Sequence, residues 1–180
     1  MSSSHFICTA ILLSLLVGCS PSDQQTSTGA HQSISGAFGW GFGQKLSDQY
    51  PVSLDDTGVY CYSYDTNGLF SRITVGVNEQ RTVCMIEGVG DAGSLGISDK
   101  ETLVKTLSDK YGLSDHAASD IAQFGHVEGW TFGKGGSTVH LTILGGVLTI
   151  LYRYDPVLEN LQQKFQQQKN QEFQTNIQGI

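Results

Sequence analysis

The residues best equipped for chemistry in this chain are His116, Asp120, His126 and His140. His116 and Asp120 stand four positions apart, which would place an imidazole and a carboxylate on one face of a helix, with His126 and His140 downstream as further ligands or bases. Such groups suit zinc, or general acid–base hydrolysis. Neither H-E-x-x-H nor a comparable spacing occurs, so the expectation is surface residues that hold no metal and no cofactor. Ser137 and Asp155 can be drafted with His140 into a triad, but no nucleophile-elbow sequence surrounds them. His140 alternates with Val139, Leu141 and Ile143, which places it with Thr142 on the solvent face of a strand.

Two other motifs invite a chemical reading. Gly88-Val89-Gly90-Asp91-Ala92-Gly93 matches G-x-G-x-x-G after a predicted strand, yet the next helix cap, Ser98, comes several residues too late for a pyrophosphate to meet a helix N-terminus. A flexible loop that binds no nucleotide is the expectation. Cys61 and Cys84 are a candidate disulfide in an oxidising compartment. If the turns between them are tight, a strand separates theirs, and two strand spacings, about 9.6 Å, exceed the reach of a disulfide. Bridged cysteines and free thiols both stay open, and a catalytic cysteine lacks a histidine at motif spacing.

These residues need a scaffold, and the hydrophobic pattern supplies one. Val59–Tyr64, Phe70–Val77 and Thr82–Glu87 are rich in β-branched and aromatic residues and are separated by turn-forming Asn and Gly, so they read as an antiparallel meander. Ser98-Asp99-Lys100-Glu101 has the form of a capping box, and Leu103, Val104, Leu107 and Tyr111 follow at helical spacing up to Gly112. Ser114–Phe124 reads as a short helix or a loop. Three strands follow, Val127–Phe132, Thr138–Leu144 and Val147–Tyr154, joined by glycine-rich turns. Asp155-Pro156 then opens a helix through about Gln174, with Leu158, Leu161 and Phe165 able to dock on a sheet and a Gln-rich end, residues 166–180, that projects or frays. The fold class is α+β, with antiparallel strands, a helix, a three-stranded meander and a C-terminal helix.

The stretch Gly36–Gly43, GAFGWGFG, alternates rings with glycine or alanine. As a first strand it would show Phe38, Trp40 and Phe42 on one face. That face either covers the core or forms a binding surface for a glycan or a lipid, and the core is the reading that a half-buried strand favours.

The chain opens with an apolar run, Phe6–Val17, too short to span a bilayer and suited to a signal-peptide core, although no Lys or Arg precedes it. Leu16-Val17-Gly18-Cys19 resembles the lipobox of bacterial lipoproteins. The resemblance implies a cleaved leader, residues 1–18, with Cys19 as the lipidated (palmitate-bearing) first residue, and Ser20 after it implies the outer membrane. Ser20–Ser35 is polar and reads, with Cys19, as a tether (19–35) of about 20 Å before a single domain, 36–165. Ten Lys and Arg against seventeen Asp and Glu give a net charge of −7, which argues against nucleic acid or an anionic membrane as an electrostatic partner. Membrane attachment is then left to the lipid.

GAFGWGFGQKL, FSRITVGVNEQRTVCMIEGVG and LSDKYG resemble a group of uncharacterised bacterial proteins with a strand-helix-strand domain, a resemblance that implies no activity and no site residues. Taken together, the chain is expected to be an outer-membrane-anchored lipoprotein whose non-enzymatic domain, in the periplasm, binds a protein or envelope component. A small hydrolase using the histidines, and an assembly subunit recruited through the C-terminal helix, are the alternatives.

Overall fold

The computed structural model describes residues 31–121 and 125–178, which fall in one unit, His31–Ile180; the leader, Cys19 and the tether as far as residue 30 lie outside the described residues. Runs of β-branched and aromatic residues bounded by turn residues form ten strands. They are β1 (Gly36–Ala37), β2 (Trp40–Gly41), β3 (Ser53–Leu54), β4 (Tyr60–Asp65), β5 (Phe70–Val77), β6 (Val83–Asp91), β7 (Leu113–Ile121), β8 (Gly125–Phe132), β9 (Ser137–Leu144) and β10 (Val147–Tyr154). Two helices, α1 (Ile97–Tyr111) and α2 (Asp155–Gln178), complete the α+β fold.

β1 pairs only with β2, and the other strands form one eight-stranded sheet in the order β3-β4-β5-β6-β10-β9-β8-β7. All pairings are antiparallel. The register aligns Tyr62, Val75, Ile86, Tyr152, Val139 and Phe132 across six strands, a row of one sheet face. Two things cover that face: α1, through Leu103, Val104, Leu107 and Tyr111, and an N-terminal arm that brings Ile34, Trp40, Phe42, Leu46 and Tyr50. On the opposite face α2 seats Leu158 and Leu161 over Val59 and Cys84. Phe165 fills the space above Gly58, where a Cβ would stand 2.5 Å from the Phe165 Cβ at φ +87°.

The structure corrects several expectations. Residues 114–121 are not helical or looped but most of β7, paired to β8 from Leu113↔Phe132 to Ile121↔Gly125. The segment has no apolar stripe for a helix to bury, so pairing with a neighbouring strand decides its state; residues 122–124 lie outside the described residues. Gly88–Asp91 is strand, not loop, and the glycines are there for packing. A Cβ on Gly88 would meet Phe70 Cγ at 2.9 Å, and one on Gly90 would meet the Leu69 carbonyl oxygen at 2.2 Å.

GAFGWGFG is a tight hairpin rather than one strand, with Ala37 opposite Trp40. Phe38 and Gly39, at φ +51° and +82°, have the positive φ values that a type I′ turn requires. Helix α1 starts at Ile97, and Asp99 rather than the Ser98–Glu101 box caps it, accepting from the Gly96 N–H at 3.0 Å. The folded chain begins before residue 36, since Ile34 is 7% exposed in the core. Helix α2 runs on to Gln178, and Gln166–Thr175 are exposed along it.

Candidate functional site

Two regions of the arm-covered face carry the candidate residues. The first is aromatic. Phe38 packs edge-on against Phe70 and Tyr152, with ring centroids 5.4 and 6.0 Å away, Trp40 against Tyr50 at 5.9 Å, and Phe42 stacks on Tyr154 at 6.0 Å. Trp40 Nε1 donates to the Tyr64 hydroxyl at 3.2 Å. Trp40 and Phe42 are half-buried against the core, whereas Phe38 keeps 38% of its surface exposed. Beside it opens a notch of about 320 Å³ lined by Phe38, Tyr64, Thr66, Gly68, Phe70 and Ile73. Its hydroxyls already have partners within the protein: Tyr64 accepts from Trp40, and Thr66 donates to the Phe70 carbonyl. The notch therefore offers rings and aliphatic surface first and hydrogen bonds second.

Arg81 holds the arm in place, a role that its surroundings in the sequence do not suggest. Its guanidinium donates to the carbonyls of Leu46, Ser47 and Tyr50 at 3.2, 2.7 and 2.7 Å and pairs with Asp48 at 3.1 Å. Its backbone is held at φ +59°, a conformation that a non-glycine residue adopts only when its surroundings compensate.

The second region lies at the β7 side of the sheet and gathers three of the four candidate acid–base residues. Because β7 is a strand, His116 and Asp120 share a face at two-residue periodicity, and cross-strand pairing sets Asp120 opposite His126. His126 Nδ1 lies 3.0 Å from Asp120, and His116 Nε2 lies 3.3 Å from Glu128. Glu128, which sequence spacing did not single out, is the hub. Its side chain is 14% exposed, and it accepts from Lys100 Nζ of α1 at 2.9 Å. Burial pushes the Glu128 carboxyl up, but the hydrogen bond and charge of Lys100, with His116, outweigh burial and hold it below the usual carboxylate range. His116 stacks on Trp130 at 5.1 Å and 10°.

These groups are bonded to one another; the recorded hydrogen bonds of His116, Asp120, His126 and Glu128 reach no hydroxyl or thiol nucleophile. Among the described residues, no group of three or more His, Cys, Asp or Glu side chains could hold a metal ion.

His140 lies on the opposite face, separate from the other two histidines. It is half-buried rather than solvent-facing: Nδ1 lies 3.2 Å from Thr131 Oγ1 and Nε2 3.1 Å from Thr138 Oγ1, while Thr138 donates to Asp155 at 3.0 Å. Since the Thr138 proton goes to Asp155, Thr138 accepts from Nε2–H, and Nδ1 of the neutral ring accepts from Thr131. Burial, and then the Arg153 charge, lower the His140 pKa, with Asp155 opposing. The drafted triad does not assemble, because strand alternation sends Ser137 to the other face, where it lines a hollow of about 530 Å³ with His31, Tyr111 and Lys134.

Cys61 and Cys84 are free thiols. The register sets Gly76 of β5 between Cys61 and Met85, so β5 separates the two cysteine strands. Burial, assisted at Cys61 by Asp55, pushes both thiols up to about 12, which leaves them protonated and poorly nucleophilic at neutral pH.

Comparisons of the chain with protein-family models, with curated proteins and with solved structures find no match.

Proposed function

We propose that this chain is an envelope lipoprotein, anchored in the outer membrane through a lipid on Cys19, whose folded unit is a non-enzymatic binding domain that takes a protein or another envelope component at the notch beside Phe38. The observation that carries the binding half is the conformation of Phe38. The first central position of a type I′ turn favours Asn, Asp or Gly, and a bulky residue there costs about 1 kcal/mol or more. Phe38 occupies it at φ +51° and still leaves more than a third of its surface at the mouth of an apolar notch. Burial alone accounts poorly for that combination, because a ring placed for the core would be covered. Recognition of an apolar group accounts for both the strain and the exposure.

The anchoring half rests on Leu16-Val17-Gly18-Cys19 and on a net charge of −7, which gives the domain no electrostatic hold on an anionic membrane. Cys19→Ser is expected to lose palmitate labelling and move to the soluble envelope fraction; retention in membranes would contradict the lipid anchor. For the binding half, native and Phe38→Asn chains are compared for envelope components that co-purify from solubilised membranes. Loss in the variant, at an unchanged melting temperature, is the expected outcome, and equal recovery would overturn the reading.

A second reading has the grouping of His116, Asp120, His126 and Glu128 in its favour, as a set of acid–base groups for a small hydrolase. Its test is hydrolysis of ester and glycoside probes by the native chain and by Glu128→Gln, and activity abolished in the variant would support it.

A further inference from the structure

β7 ends the sheet, and no described strand pairs with its outer edge. It is nine residues long, and Leu113–Asp120 are all exposed. It lacks the devices that usually blunt such an edge: no proline, no lysine, and a single irregularity, confined to Leu113–Asp115. From the structure we infer that β7 pairs with β7 of a second copy of this chain, antiparallel about a two-fold axis at Ala118, so that two sheets become one.

Symmetry and charge choose that register. A two-fold axis perpendicular to the sheet requires one residue to face its own copy, and the regular stretch Asp115–Ile121 has its midpoint at Ala118. Full overlap of that stretch therefore sets Ala118 opposite Ala118, where a small side chain lets the strands approach. The same register sets His116 opposite Asp120 of the second copy, and Asp120 opposite its His116. Both residues lie on the arm-covered face, so two complementary cross-strand pairs flank the axis. A shift of the axis by one residue either way opposes His116 or Asp120 to Ala118 and loses both pairs. Within one copy His116 already meets Glu128 and Asp120 meets His126, so the new pairs join the two polar clusters across the edge. The inference stands apart from the notch, which lies on the far side of the sheet.

The test is cysteine cross-linking in the full chain. Residues directly opposite on antiparallel strands have Cα atoms about 4.5–5.5 Å apart, within disulfide reach, whereas positions two residues out of register stand about 7–8 Å apart. Ala118→Cys is expected to give a cross-linked dimer on oxidation. Ala117→Cys, whose opposite residue is Ser119, is expected to stay monomeric. No dimer from Ala118→Cys, or equal yields from both, would overturn the register. Ala118→Lys sets two ammonium groups on the axis at a position exposed in the single copy. Sedimentation is expected to show a native dimer and a monomeric Ala118→Lys with an unchanged melting temperature; a monomeric native chain would overturn the pairing.

Discussion

The notch at Phe38 and the polar cluster at Glu128 sit at opposite sides of one sheet face, and they resolve their chemistry differently. At Glu128 a buried carboxylate meets a lysine and a histidine, and a second histidine meets Asp120, so each charge is answered locally. At Phe38 a ring is held in a strained turn, largely surrounded by apolar groups and incompletely covered. A satisfied polar cluster is what an edge strand needs in order to stay soluble and hold its helix. An unsatisfied apolar one asks for something from outside. Residues that look chemical in a sequence can thus be structural in the fold, while the candidate for recognition is a phenylalanine in a glycine-rich run.

The comparison breaks first at Trp40. If the arm is part of the core, Trp40→Ala removes the ring packed on Tyr50 and the bond to Tyr64, and is expected to cost about 3 kcal/mol in chemical denaturation. A loss close to zero would mean that the arm rests on the sheet without stabilising it. Next comes Gly90→Ala, whose new methyl collides with the Leu69 carbonyl oxygen. The expected cost is about 2 kcal/mol, with an altered notch, because the backbone leading into Phe70 must move.

Smaller effects sharpen the polar side. Glu128→Gln keeps the shape but removes the charge facing Lys100, and is expected to cost about 1 kcal/mol at neutral pH. The sign follows from the lowered carboxyl pKa: its stabilisation is present above the ordinary value of 4.5 and is lost as pH falls below it, so native and variant melts should converge in acid. A constant difference down the acid limb would show that Lys100 is not the cause. His140 acts through a different limb. Its pKa is lowered from 6.5, so the folded state binds the proton less tightly than the unfolded chain, and stability falls as pH drops below 6.5. His140→Gln is expected to flatten that part of the profile; an unchanged slope would contradict the neutral, doubly bonded ring.

Much of the scaffold was legible because it depends on local pattern. Phe70–Val77 alternates and is a strand from end to end, and the 3.6-residue spacing of Leu103, Leu107 and Tyr111 marks α1. The failures share a cause, which is that distant residues decided a local question. Gly88 and Gly90 look like loop until Phe70 and Leu69 lie across them. The stretch Leu113–Ile121 has a weak preference of its own and takes the state that β8 offers. The hairpin at Phe38 was hidden because alternation of rings and glycines fits a strand as well as it fits two short strands and a turn. Of the site, His116, Asp120 and His126 were named from their types, but their hub Glu128 and the clamp Arg81 carry no local signal. Only register and topology bring them to their partners.

The most direct measurement places a photoreactive side chain at Gly68, where a Cβ meets no heavy atom within 4 Å and the notch is adjacent. A second probe goes at Ile97, which is 79% exposed and lies near α1's start. In intact cells, irradiation is expected to give an adduct with an envelope component from position 68 and none of that kind from position 97. The position-68 adduct should disappear when Phe38→Asn is added, while the melting temperature of Phe38→Asn stays within about 0.5 kcal/mol-equivalent of native, as for a surface substitution. An adduct that survives Phe38→Asn, or that forms equally from position 97, would contradict recognition at the notch.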